Sequence, residues 1–363
     1  MTLIKVKSRG TDNVTGRKNL IINGAMRVAQ RGTSTTSVAA NGYYATDRMK
    51  FYESSDLVAT VAQVSDAPSG SGFQYSHKVT ATTADTSLAA NELVCPLWYI
   101  VEKQDVDARL AYGTSSAKPI TMSFWIKSNV TGTYTISAYR SATPARVQAQ
   151  TYTISSANTW EFKTLTFLGD TAEAIDVDLH FYFNGLVGGD YDNTSTTSGW
   201  ATYNTSNWAG GHTATWGDTA NDTWQMTGLQ LEVGDEASDF EHRSFAEELT
   251  LCQRYFISQT VDYSFYAGRV ISSKRIDTGV PFPVEMRATP SLANGFNTSI
   301  TGATCNTRDG NFTDILATSF STATAHGTKS IGGFRITNSN ISQPAEGCCT
   351  NQLEGKVEFS AEL

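Results

Sequence analysis

The sequence predicts an all-β protein in which two β regions are joined by one short helix. Segments with strict alternation of apolar and polar residues recur along the chain, and connections rich in Gly, Ser, Thr and Asn separate them. Only one stretch, near residue 244, carries apolar residues at helical spacing. With 363 residues, 40% of them hydrophobic, the chain is long enough to build two or three domains with real cores.

Residues 1–18 form a basic arm in a chain whose formal net charge is −8. The segment has no apolar periodicity, which leaves two interpretations open: a disordered tail, or a segment that orders when it docks on an acidic partner. The basic residues are Lys5, Lys7, Arg9, Arg17 and Lys18.

Residues 19–243 show the pattern of half-buried strands. Apolar side chains occupy alternate positions in 120–126, 134–138 and 177–183. Residues 129–132, Asn-Val-Thr-Gly, form a good turn, so we expect a hairpin over 120–139. Several such strands with Gly-rich connections predict a two-sheet sandwich.

Residues 188–218 interrupt this pattern with a long loop that has almost no aliphatic residues. Loops of this length inside a compact domain are usually functional or disordered. The aromatic side chains either pin the loop to the sandwich or lie exposed as stacking platforms for sugar rings, with polar neighbours that bond to hydroxyls. The candidate glycan-binding residues are Trp200, Tyr203, Trp208, Trp216, Asp190, Asp192 and Asn207.

A strand and a helix follow the loop. In the strand that ends near Gly234 the alternation shifts by one residue at Gly228, which predicts a bulge. Ser244 and Glu247 have the spacing of a capping box, so the sequence predicts a linker helix over 244–256. Its apolar face would contain Phe245, Leu249, Cys252 and Phe256. Residues 257–363 then read as a smaller C-terminal β domain.

These segments resemble the carbohydrate-binding-module-like jelly roll of bacteriophage tail fibre proteins. The resemblance covers about residues 19–256 and selects the jelly-roll form of the sandwich. Its opening motifs are Asn19–Met26, Gln30–Gly32 and Tyr44–Arg48. Its closing motifs contain Trp224, Thr227, Gly228, Gln230, Leu231, Glu232, Gly234, Phe240, Glu241, Arg243, Ser244, Leu251, Cys252, Arg254 and Tyr255.

The resemblance implies a structural virion protein, a tail fibre or spike that binds host cell-surface glycan. It would assemble in the bacterial host cytoplasm as a homotrimer, with the basic arm docked on other tail or virion proteins and 257–363 serving trimerisation or receptor binding. Two alternatives stay open. One is a capsid-surface fibre or decoration protein, and the other is a polysaccharide-degrading tailspike.

The sequence favours a protein without enzymatic activity or cofactor. Asp176 and Asp178 are the nearest pair of carboxylates for glycosidic cleavage, but the alternation places them toward solvent. The acidic turns 218–222 and 235–239 leave a Ca²⁺ site open, without the spacing of a known loop. The negative charge argues against nucleic-acid binding, and no apolar run is long enough for membrane insertion. The five cysteines fit no closed disulfide framework, and we expect mostly reduced thiols.

Overall fold

The computed structural model describes residues 17–192, 198–272, 275–294, 304–307, 319–322, 331–337 and 348–363. The chain divides into two compact units. Unit 1 comprises Met1–Met26, Ser34–Gly42 and Met49–His242, and unit 2 comprises Arg27–Thr33, Tyr43–Arg48 and Arg243–Leu363. Two short segments from within the range 19–243 therefore belong to the second unit, which no sequence pattern indicated.

The first β region is built from short antiparallel strands and one short helix. In chain order these are β1 (Ser34–Val38), β2 (Gly42–Tyr43), β3 (Lys50–Glu53), β4 (Val58–Val64), β5 (Ser76–Thr83), β6 (Leu93–Val101), α1 (Lys103–Leu110), β7 (Ile120–Ser128), β8 (Gly132–Arg140), β9 (Arg146–Ile154), β10 (Glu161–Phe167), β11 (Leu179–Asn184), β12 (Leu186–Val187), β13 (Ala201–Thr202) and β14 (Thr223–Val233).

These strands form the two sheets of a jelly-roll sandwich. The six-stranded sheet has the order β1-β4-β5-β14-β7-β10, and the eight-stranded sheet has the order β13-β9-β8-β11-β6-β3-β2, with β12 paired to β6. Aromatic rings from both sheets fill the core between them. Phe124 of the six-stranded sheet contacts Tyr152 and Phe183 of the other, with ring centroids 5.2 and 5.7 Å apart. The predicted all-β jelly-roll fold is confirmed.

The predicted hairpin over 120–139 is wrong. Both strands exist, but β7 pairs with β10 and β14, whereas β8 pairs with β9 and β11. The turn between them therefore carries the chain from one sheet to the other. Asn129 in this turn accepts a hydrogen bond from the backbone N–H of Thr223 (2.7 Å), which ties the turn to β14 instead of closing a hairpin. Two strands that face each other across a core show the same alternation as two paired strands.

The N-terminal segment 19–26 runs beside β14. The backbone N–H of Leu20 donates to the carbonyl of Leu231 (2.9 Å), and that of Leu229 donates to the carbonyl of Gly24 (2.9 Å). The side chain of Asn19 is buried and bonds to β14 as well: its oxygen accepts from the N–H of Leu231 (3.1 Å), and its amide donates to the carbonyl of Leu229 (3.2 Å). The opening motif of the resemblance thus packs on the closing one.

The bulge predicted at Gly228 is confirmed. The pairing of β14 with β7 shifts between Thr227 and Gln230, and Gly228 has a φ of 63°. The rings of Phe73 and Trp125 lie where a Cβ would be, so the position requires glycine both for its backbone conformation and for its space.

Unit 2 contains a seven-stranded antiparallel sheet with the order β17-β21-β15-β16-β20-β19, in which β18 also pairs with β21. The elements are α2 (Phe245–Gln253), β15 (Phe256–Ser272), β16 (Arg275–Pro281), β17 (Ser291–Asn294), β18 (Thr304–Thr307), β19 (Ser319–Thr322), β20 (Ile331–Thr337) and β21 (Cys348–Ser360).

Helix α2 begins as predicted, but its buried face differs. Ser244 is the N-cap, and its hydroxyl accepts from the backbone N–H of Glu247 (3.2 Å). Phe245, expected on the apolar face, is 48% exposed, whereas Glu248 is buried and bonds to Arg243 (3.3 Å). A buried carboxylate on this face is compensated by its ion pair, which helical spacing alone does not reveal. The helix also ends three residues early, because Phe256 starts β15.

Unit 2 contains a buried ionic cluster, which forms between its two segments from the N-terminal half of the chain and its C-terminal end. Arg31 and Arg48 both bond to the carboxylate of Glu362, at 3.1 and 2.6 Å. The Arg48 guanidinium also lies 3.6 Å from the ring centroid of Tyr255. Burial raises the pKa of Asp47 to about 6 despite the nearby Arg31. This cluster contains residues of three motifs of the resemblance.

Substituting Gly228 with alanine should destabilise unit 1 by about 2 to 4 kcal/mol. The new Cβ would lie 2.7 Å from the ring of Phe73 in a left-handed backbone conformation, so strain and overpacking add. Urea unfolding followed by tryptophan fluorescence measures this, since the seven tryptophans all lie in unit 1. The control is Gly189→Ala, where no atom lies within 4 Å of the added Cβ. Equal stability of the two variants would contradict the explanation.

Unit 1 should lose stability as the pH falls from about 6.5 to 4. Burial lowers the pKa of His77, His180 and His212 to about 4, so over this range the unfolded chain binds protons that the folded chain does not. For the fully buried His77 the contribution is about 3 kcal/mol, complete above pH 6.5 and absent below 4. Urea unfolding at several pH values tests it. His77→Gln should reduce the slope of stability against pH.

Candidate functional site

The outer face of the eight-stranded sheet carries an aromatic patch. Trp98 on β6 lies directly opposite Tyr182 on β11, and the two rings stack with centroids 4.7 Å apart. His180 stacks on the same indole at 5.6 Å, and Tyr139 and Tyr52 meet Tyr182 edge-on. Successive side chains of a strand point to opposite faces, so β11 gives its phenylalanines to the core and His180 and Tyr182 to this patch.

The loop after β12 adds three more rings. The backbone N–H of Ala209 donates to the carbonyl of Tyr191 (3.1 Å), which brings the two arms of the loop together. Strand β13 pairs with β9 and positions Tyr203 over Tyr139, with centroids 5.4 Å apart. Trp208 follows a single 3₁₀ turn, Thr205–Asn207, and contacts Tyr182 at 4.9 Å.

Sheet and loop together enclose a cavity of about 90 Å³, which we call the aromatic cleft. Tyr52, Tyr191 and Tyr203 are half-buried and form its accessible walls, whereas Tyr182 and Trp208 are nearly buried. It is lined by Tyr52, Leu93, Tyr182, Tyr191, Tyr203 and Trp208. Such a surface offers flat apolar faces and phenolic hydroxyls, which is the combination that stacks on a sugar ring and bonds to its hydroxyls.

The buried side chain of Asn184 fixes the position of Trp208 in the cleft. Its side-chain oxygen accepts from the indole N–H of Trp208 (3.0 Å), and its amide donates to the Ser137 hydroxyl (2.8 Å) and the Thr135 carbonyl (3.0 Å). The Ser137 hydroxyl in turn donates to the carbonyl of Trp208 (2.7 Å). All of these groups are buried, so the position of Trp208 is fixed by a polar network in which each member is paired.

Three tyrosines of the cleft and the neighbouring His180 are uncharged at neutral pH. Burial raises the pKa of Tyr52, Tyr182 and Tyr203, so the phenols stay protonated and act as neutral hydrogen-bond donors and acceptors. Burial also lowers the pKa of His180 to about 4, so its imidazole is neutral. The lining itself therefore contributes dipoles and apolar faces, not charges.

The predicted aromatic residues separate into three places. Tyr203 and Trp208 line the aromatic cleft. Trp216 is completely buried in the core, so its prediction as an exposed platform is wrong. Trp200 is half-buried away from the cleft lining, where its indole N–H donates to the carbonyl of Leu168 (2.7 Å) and its ring meets Tyr112. Trp208, at 6% exposure, contributes an edge of the cleft and not an open face.

The predicted polar partners also differ from one another. Asp190 and Asp192 are exposed and flank Tyr191, as expected for a rim. Asn207 serves the loop itself: its oxygen accepts from the N–H of Asn204 (2.9 Å) and its amide donates to the carbonyl of Thr202 (3.0 Å). Asn207 is therefore not one of the residues that line the cleft; its oxygen closes the capping box with Asn204, and its amide bonds to the backbone before it.

Sequence reasoning missed the contributions of the sheet, above all Tyr52, Trp98 and Tyr182. A signal was present in β6 and β11. In β11 the face opposite the core carries His180 and Tyr182 instead of short polar residues, and in β6 both faces are apolar or aromatic. A strand with two aromatic faces indicates that its outer face is also covered or used.

The other predicted sites are distributed as follows. Arg17 and Lys18, expected in the docking arm, bond to unit 1 itself, through Asp105 (3.7 Å) and the carbonyl of Asp239 (2.6 Å). Lys5, Lys7 and Arg9 lie outside the described residues. In the described part of the chain, no group of three or more His, Cys, Asp or Glu residues could hold a metal ion, and no helix there is long and apolar enough to span a membrane.

The buried thiols and the candidate carboxylates form no reactive arrangement among the described residues. Cys95 and Cys252 are free and buried, and burial raises the pKa of both thiols. The side chains of Cys305, Cys348 and Cys349 lie outside the described residues. Asp176 bonds to Arg140 (2.7 Å), and Asp178 accepts from the N–H of Lys103 (2.8 Å).

Comparison with solved structures gives distant matches to carbohydrate-binding modules and to a tailspike. The enzymatically active domain of tailspike protein 4 from bacteriophage CBA120 is 12% identical with a TM-score of 0.33; the match covers 59% of this chain and 21% of that one. The family 11 module of a cellulosomal cellulase from Clostridium thermocellum is 11% identical with a TM-score of 0.28, covering 57% of this chain and 100% of that one.

A tandem of two family 22 modules from a Paenibacillus barcinonensis xylanase matches 86% of this chain and 93% of its own length, at 8% identity and a TM-score of 0.27. No family model matches the sequence, and neither does any curated protein. This chain spans about a fifth of the length of the tailspike domain. At these identities and TM-scores the likeness concerns the β fold alone.

Replacing Asn184 with leucine should destabilise unit 1 by about 2 to 4 kcal/mol, because the Trp208 N–H and the Ser137 hydroxyl would lose buried partners, each costing about 1–3 kcal/mol. Urea unfolding gives the change. Asn91→Leu, at an exposed turn before β6, is the control and should change stability by less than about 0.5 kcal/mol. A neutral Asn184→Leu would show that the network does not hold the cleft.

Proposed function

We propose that this protein binds a glycan in the aromatic cleft. The observation that carries the proposal is the cleft itself, because five aromatic side chains from the sheet and the loop converge on one accessible cavity. Aromatic rings that only fill a core are closed off from solvent. Tyr52, Tyr191 and Tyr203, by contrast, are half-buried and leave part of each ring exposed around the cavity. Exposed concave aromatic surfaces with a few polar groups are the usual form of a small-ligand site.

The biological setting that agrees best with this site is a tail fibre or spike of a bacteriophage, which would use the cleft to adsorb to host surface polysaccharide. The support is the motif resemblance over about residues 19–256. A single site of this kind would bind in the high micromolar to millimolar range. A homotrimer would present three clefts and raise the avidity by about 10² to 10⁴-fold. Attachment to the virion would fall to the basic residues that precede Arg17.

Tyr191→Ala and Tyr203→Ala should each weaken glycan binding about tenfold or more, because each removes one accessible wall of the cleft. The parent protein is first screened on an array of bacterial surface polysaccharides, and the strongest ligand is then titrated by calorimetry. Phe162→Ala is the matched control. Its ring is 51% exposed on β10 of the other sheet, so its loss should leave the affinity unchanged.

Circular dichroism and urea unfolding must first show that all three variants are folded. If the folded cleft variants bind glycan as tightly as Phe162→Ala does, the binding site lies elsewhere in the protein. A parent protein that binds no polysaccharide on the array, either as isolated chain or as assembled oligomer, would refute glycan binding altogether.

A further inference from the structure

Four acidic residues are sequence neighbours of residues that line the aromatic cleft. Asp190 and Asp192 flank Tyr191, Glu53 follows Tyr52, and Glu92 precedes Leu93. The chain segments that carry them lie side by side. The N–H of Asp190 donates to the carbonyl of Ala90 (2.8 Å), and the N–H of Gly188 donates to the carbonyl of Glu92 (2.9 Å). The two tyrosines and Leu93 all line the cleft.

These carboxylates have no cationic partner among the described side chains. No ion pair of the described part of the chain includes Glu53, Glu92, Asp190 or Asp192. Glu53 and Glu92 accept hydrogen bonds only from nearby backbone, the N–H groups of Ser55 and Ala89. Burial raises the pKa of Glu53, and the negative charges of Asp56 and Glu92 raise it further. The surface beside these residues is therefore a region of negative potential.

One ammonium group of the protein already contacts the aromatic patch. The Nζ atom of Lys50 lies 3.7 Å from the ring centroid of Trp98. This is a cation–π contact, in which the electron-rich face of the ring attracts a positive charge. The rings of Tyr52, Tyr191 and Tyr203 have the same electronic character but no cation of the protein over them in the described structure.

We propose that the aromatic cleft selects glycans that carry an ammonium group, such as an amino sugar without its acetyl group, over glycans that carry a carboxylate. The ammonium would lie against the rings of Tyr52 and Tyr191 and face Asp190 and Asp192. An anionic sugar would meet the same carboxylates as repulsive neighbours. The inference rests on the proposed function, since it names the class of sugar that the same cleft takes.

The test compares three methyl glycosides with the same gluco ring: glucosamine, N-acetylglucosamine and glucuronate. At about pH 6 the amine of the first is protonated and the carboxylate of the third is ionised. Binding to the full-length protein is measured by NMR titration. We expect glucosamine to bind about tenfold more tightly than N-acetylglucosamine, because one cation–π contact and a screened surface charge contribute an effect of this size. Glucuronate should bind most weakly of the three. The preference should decrease as NaCl rises from 0.05 to 0.5 M.

The double variant Asp190→Asn and Asp192→Asn should reduce the ratio of glucosamine to glucuronate affinity at least threefold. The control is Asp107→Asn with Asp235→Asn, which removes the same charge from exposed positions on α1 and after β14. An unchanged ratio in the first variant, or an equal fall in the control, overturns the inference.

Failure of this inference can be distinguished from failure of the proposed function. A protein that binds a polysaccharide on the array in a Tyr203-dependent way, yet does not prefer glucosamine among the three glycosides, binds glycan without charge selection. In that case only the inference is refuted. A protein that binds neither the array nor any of the three glycosides refutes both.

Discussion

The side chain of Asn19 links the beginning of unit 1 to its central strand. It is 1% exposed, and it pairs with the backbone of Leu229 and Leu231 on both sides of one β14 residue. Strand β14 lies inside the six-stranded sheet, between β5 and β7, so the segment 19–26 is fixed to the centre of the sandwich. Glu241 completes the arrangement by accepting from the N–H groups of Lys18 and Asn19. A buried amide of this kind is costly if either partner is lost.

This arrangement explains what the motifs of the sequence encode. Asn19 and the backbone of β14 hold segment 19–26 in place, and Arg31, Arg48 and Tyr255 belong to the ionic cluster around Glu362. None of the six residues that line the aromatic cleft belongs to a motif. The motifs therefore specify a scaffold, while the chemistry of the cleft depends on residues such as Tyr52 and Tyr203. For this reason the resemblance bears on the fold and does not define a ligand.

The sequence allowed the fold class, the bulge at Gly228 and the cap at Ser244 to be predicted, because each depends on local backbone chemistry. Pairing partners could not be predicted, since β7 and β8 alternate in the same way whether they share a sheet or face each other across the core. The site was found only in part. The loop was recognised by its aromatic residues, but composition does not distinguish Trp216 in the core from Tyr203 at the cleft. The cleft residues of the sheet could be identified only from the structure, in which the pairing of β6 with β11 and β3 brings them together.

The loop that carries these rings is held at fixed points, and this has a practical consequence for engineering. Trp216 anchors its end in the core, Trp208 is bonded to Asn184, and Trp200 is bonded to Leu168. Of the residues that line the cleft, Tyr203 lies between two of these anchors and Tyr191 precedes them. A library that varies the positions next to Tyr191 and Tyr203 while keeping the three tryptophans would change the surface of the cleft on the same folded scaffold. The jelly roll is in this sense a display framework, comparable in use to an antibody domain with exchangeable loops.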